Sequence, residues 1–109
     1  GIGPTINFGT SATNTFAIES GTAPSTSIAD EFQLYSADIA AGNAAPHFRT
    51  EAGDIVKIYA QSHIADLKTD YTTGDLDSEA EVIAAVNATN TKINAILTAL
   101  ETNGLLKTS

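Results

Sequence analysis

The chain has 109 residues, room for about one small domain, with 42% hydrophobic residues but no Cys, Met or Trp. Thirteen acids against five bases give a formal net charge of −8, which repels phosphate backbones and anionic bilayers and so speaks against nucleic-acid binding. No apolar run reaches the ~18 residues of a membrane span. Much of the hydrophobic share is Ala, which buries little area, so an isolated monomer has a thin core. Small scaffolds in that position rely on disulfides, metals or oligomerisation. Without Cys the first is excluded, a metal site would have to rest on His and carboxylates, and self-association is the means that remains. The opening Gly1-Ile2-Gly3-Pro4 is not a signal peptide, and its lack of an initiator Met suggests a fragment or a processed product.

Residues 1–30 are rich in Gly, Ser, Thr, Asn and Pro. Short alternating pieces, Ile6-Asn7-Phe8 and Phe16-Ala17-Ile18, predict short strands. The run from Ser20 to Ser27 is a loop by composition. In the next segment Phe32, Leu34 and Ser36 share one strand face, and Gln33 and Tyr35 the other. A Gly42-Asn43 turn follows, with Pro46 placed at a strand start, where no ladder donor is needed. The stretch from His47 to Tyr59 reads as a β-hairpin around Ala52-Gly53, Gly supplying the positive φ of a tight turn. Residues 60–77 form an acidic connector, with a short helical turn expected near His63 to Lys68.

Residues 78–102 are predicted as a helix. Ser78-Glu79-Ala80-Glu81 fits a capping box, Glu79 and Glu81 suit the helix dipole, and Asn103-Gly104 is a natural stop. About 24 residues give a rod of ~36 Å. Val82, Val86, Thr89, Ile93, Ile96 and Leu100 are separated by 4, 3, 4, 3 and 4 residues, a heptad seam with Val86, Ile93 and Leu100 at a and Val82, Thr89 and Ile96 at d. Ile83 and Leu97 at e, with Ala85 and Ala99 at g, widen the apolar face. β-branched residues at both a and d favour three or more strands. Lys92 is the one charge at an e or g position, so ion pairs do not set the assembly. An ordinary amphipathic helix covering a sheet of its own chain is the alternative.

The fold class expected is mixed β and α: a β-rich part over residues 1–77 with short strands and a hairpin, then an oligomerisation helix and tail over 78–109. No catalytic, cofactor-binding or metal site is assigned. His47 and His63 stand 16 residues apart and read as a strand-face and a loop histidine. Asp75-x-Asp77-x-Glu79 resembles the opening of a calcium loop, but Ala80 and Val86 stand where its Gly and bidentate Glu belong; a solvated acidic cap on the helix start is the simpler reading. Arg49 is expected to pair with Glu51 or another acid. No nucleophile elbow, phosphate loop or carboxylate pairing of a glycosidase type occurs.

One family has a similar order of segments. A Ser/Thr/Gly-rich stretch precedes Asp30-Glu31-Phe32-Gln33-Leu34-Tyr35-Ser36-Ala37-Asp38. Next comes Pro46-His47-Phe48-Arg49-Thr50-Glu51-x-Gly53-Asp54-x-Val56-Lys57-x-Tyr59. A helix closes in Leu97-Thr98-Ala99-Leu100-Glu101-Thr102-x-Gly104-Leu105-Leu106. Over residues 15–106 this resembles the C-terminal part of tail-fibre and related virion fibre proteins of bacteriophages. The resemblance implies a homotrimeric, β-rich structural subunit of a virion appendage. Its partners would be copies of itself, other virion proteins and a host surface glycan or protein, with no membrane insertion and no cofactor. A subunit of a bacterial or archaeal extracellular filament or adhesin, or a secreted carbohydrate-binding module, is the alternative.

Overall fold

A computed structural model describes residues 2–3, 6–40 and 42–108. It carries three antiparallel strands and one helix, a mixed β and α chain: β1 (Gln33–Ala40), β2 (Asn43–Arg49), β3 (Ile55–Lys57) and α1 (Glu79–Thr102). The chain divides into two compact units, Gly1–Tyr59 and Ala60–Ser109. The connector expected to belong with the β-rich part thus groups with the helix.

In the first unit the strands lie in the order β1-β2-β3. Leu34 pairs Phe48, Tyr35 pairs His47, Ser36 pairs Pro46 and Ala37 pairs Ala45. The period-2 alternation therefore sorts Leu34, Ser36, Pro46 and Phe48 onto one face and Tyr35, Ala37, Ala45 and His47 onto the other. The second face is the more covered one. Ala45 and His47 are buried there; on the first face Ser36 is buried too, but Leu34 and the neighbouring Phe32 are exposed.

Pro46 sits fourth in β2, the central strand, rather than at a strand start. The Ser36 carbonyl accepts from the Gly21 N–H at 3.1 Å, and the Pro46 carbonyl accepts from the Ile58 N–H at 3.0 Å. At this pair the backbone groups of both strands point away from each other. The missing Pro46 donor thus falls on the β3 side, and β3 pairs only with residues 47–49, ending where the ladder would need that donor.

The β2–β3 turn closes as expected at Gly53, whose φ is 90°. Its N–H donates to the Thr50 carbonyl at 2.9 Å, and the Asp54 N–H donates to Thr50 Oγ1 at 3.1 Å. Gly42, with φ 84°, lies in the turn before β2, and Asn43 already begins the strand; Ala41 lies outside the described residues.

The N-terminal pieces differ from expectation. Ile6-Asn7-Phe8 forms no strand, and Phe16-Ala17-Ile18 contributes a single parallel bridge, Ile2 to Ile18. The intervening backbone is turned by left-handed residues, among them Ser11 and Asn14, and by Asn7, whose Oδ1 accepts from the Gly9 N–H at 2.8 Å. Asn and Ser side chains that bond their own backbone compete with a ladder.

In the second unit residues 63–68 are not helical. The connector is instead ordered around Asp75, whose Oδ2 accepts from the Thr72 N–H at 2.7 Å, Thr72 Oγ1 at 3.2 Å and Lys68 Nζ at 2.7 Å. Lys68 Nζ also lies 4.8 Å from the Tyr71 ring centroid.

Candidate assembly face

The helix begins where the sequence places it. Ser78 is the N-cap. Its Oγ accepts from the Glu81 N–H at 3.3 Å and donates to Glu81 Oε2 at 2.9 Å, while its own N–H donates to that carboxylate at 3.1 Å. A hydrogen bond shared with the Asp77 side chain, then those from Ser78, hold the Glu81 carboxyl below its ordinary value.

The other end closes in a Schellman arrangement. Asn103 is the C-cap and Gly104 follows at φ 74°. The Leu105 N–H reaches the Leu100 carbonyl at 2.9 Å, and the Gly104 N–H reaches that of Glu101 at 3.0 Å. A side chain at Gly104 would be strained in this left-handed conformation.

No residue of α1 is buried. The partly covered positions are Ala85, Lys92, Ala95, Ala99 and Glu101. Residues 61–64 run beside Ala95, Thr98 and Ala99, leaving a cleft of about 290 Å³. The Gln61 amide donates to Asn103 Oδ1 at the helix end. The chain therefore packs on the g and c side of the heptad.

The a and d side is left open. Val82, Val86, Ile93, Ile96 and Leu100 keep 37% to 52% of their surface in water, and Ile83 and Leu97 at e are as open. Thr89, the one polar member, donates its hydroxyl to the Ala85 carbonyl at 3.1 Å. Its hydrogen bond is made inside the helix, and its methyl completes the stripe. Fully burying a Val, Leu or Ile is worth about 1.5–3 kcal/mol. The five half-open aliphatic chains thus leave on the order of 5 kcal/mol per chain unrealised.

Among the described residues no three His, Asp or Glu side chains stand close enough to share a metal ion. His47 is on β2, 4% exposed, stacked on Tyr35 with centroids 5.2 Å apart. Its Nδ1 lies 2.9 Å from the Ala45 carbonyl and so carries the proton as donor. His63 lies in the loop beside α1.

Asp75, the first acid of the calcium-like run, is already occupied. The Lys68 ammonium and the Thr72 N–H hold its carboxyl at about 2. Arg49 does not pair with Glu51. Its Nε donates to Ser27 Oγ at 3.1 Å, and Ser27 passes its own proton to the Thr50 carbonyl at 3.1 Å. That link ties the 20–27 loop to the hairpin, and no sequence spacing announces it.

No family model matches the chain, and no curated protein or solved structure matches it. No helix among the described residues is long and apolar enough to cross a membrane.

Proposed function

We propose that this chain is a structural subunit of a homotrimeric virion fibre, assembled through the open face of α1. The observation that carries the reading is the uncovered stripe Val82, Val86, Thr89, Ile93, Ile96 and Leu100 on a helix none of whose residues is buried. A helix in water draws most of its stability from packing an apolar face, not from propensity. This one is fully capped yet leaves that face bare. Copies of the chain supply the missing half. The six stripe positions from Val82 to Leu100 carry no charge to repel one another, the one seam acid, Glu79, lying in the first turn at the helix end, and the Ile and Val content at a and d favours three strands over two.

The virion setting rests on the resemblance of residues 15–106 to phage fibre proteins. The role is mechanical, with attachment to a host surface as its outcome. Images of particles carrying the chain, decorated with an antibody against α1, test that setting. Label along a thin appendage agrees with it; label confined to the capsid shell contradicts it.

A further inference from the structure

The first unit has an open apolar surface of its own. A groove of about 500 Å³ lies on the outer sheet face, lined by Phe16, Ile18, Leu34, Pro46, Phe48 and Ile58 among others. Phe32 extends the patch, its ring centroid 5.9 Å from that of Phe48. Phe16 and Phe32 are each 66% exposed. Within this unit Ala45 is the one buried hydrophobic residue among those described, so the large apolar side chains sit outside the fold rather than in it.

We infer that this face is a second self-association surface, occupied by the same face or its surroundings on another copy of the chain once the helices have joined. The inference rests on the helical assembly proposed above. Area selects the occupant. Taking ~200 Å² for a Phe, the two rings leave on the order of 250 Å² in water, and Leu34 and Ile58 raise the patch to several hundred Å². That is the size of the largest apolar patch on a typical monomer, which is often functional. It falls well short of the ~800 Å² per partner of a standard interface between free proteins. Such a patch is too small to hold an untethered partner stably. It is large enough for a copy already held in the same assembly, where effective concentration reaches the millimolar range.

Charge agrees with this choice. The chain carries −8, so two copies repel over most of their surface, while none of the groove-lining residues is charged. The contact forms on the uncharged part of the surface, with Asp38, the register partner of Ala44, at its edge.

The absence of Cys makes an introduced thiol a unique probe. Ala44 is exposed and lines the groove. In the full chain, alkylation of Ala44→Cys by a maleimide should be at least tenfold slower than that of Ala84→Cys, which sits on the outer side of α1. Adding Ile93→Asp should dissociate the chain and bring the two rates together. If Ala44→Cys reacts equally fast in the trimer and in the Ile93→Asp background, the sheet face is open and the inference fails while the helical trimer stands. If the chain without Ile93→Asp is monomeric, both fail. If Ile93→Asp leaves an oligomer with Ala44→Cys still protected, the helical reading falls and with it the tethered contact inferred here, because the sheet face would then hold copies together unaided.

Discussion

The Thr89 hydroxyl donates to the Ala85 carbonyl one turn earlier, 3.1 Å away. This bond turns a polar residue into an apolar one for any partner that meets the seam. Burying an unsatisfied hydroxyl costs about 1–3 kcal/mol, but a hydroxyl bonded within its own helix avoids most of that. Thr89→Val should therefore leave the assembly intact or tighten it modestly. Thr89→Asn, whose larger amide has no such internal partner, should weaken it at least tenfold. Sedimentation equilibrium of the two variants measures the difference.

Ile93 is the central a position, and Ile93→Asp brings several carboxylates together in the seam. An unpaired buried charge costs several kcal/mol, and the cost is repeated in every strand. The expected result is loss of assembly, with the helix content of the dissociated chain lowered as well. Ala84→Asp, on the exposed f position, should assemble normally. Ala99 is a poorer control, because residues 61–64 already lie against it.

Ser78 both donates to and accepts from Glu81. Ser78→Ala should remove about 1 kcal/mol of helix stability, read as a lower melting temperature by circular dichroism. Ser78→Asp should recover only part of it, since an Asp oxygen can take the Glu81 N–H but cannot donate to the Glu81 carboxylate as the Ser78 hydroxyl does.

The capped helix and the 50–54 turn were legible because their signals are local. Ser78 and Glu81 are three residues apart, and Gly53 and Gly104 mark left-handed positions whatever surrounds them. The sidedness of β1 was not legible. Phe32 and Leu34 look like the inward face by composition, yet Tyr35 and His47 stack on the covered side. A half-buried strand announces its period but not which face the rest of the chain will cover. The helical turn expected near His63 to Lys68 failed for a related reason. Lys68 is drawn to Asp75, a partner outside the expected turn and beyond the i+3 and i+4 reach of helical side-chain pairs.

The Asp75 carboxyl, at about 2 against 3.8 for the free side chain, sits low because Lys68 and the Thr72 N–H favour its charged form. A depressed folded-state value contributes order that is present above pH 3.8 and lost as the pH falls through about 2. An NMR titration of the Asp75 carboxyl carbon should follow that window. In Lys68→Gln the midpoint should move up towards the ordinary carboxylate range. An unmoved midpoint would remove Lys68 as the main cause.

The central claim is that the exposed stripe of α1 is covered by copies of the same chain. Sedimentation equilibrium of the 11.2 kDa chain at micromolar concentration tests it most directly. A single species of three chains, dissociated by Ile93→Asp and retained by Ala84→Asp, is the predicted result. A monodisperse monomer, with the stripe still in water, would contradict it.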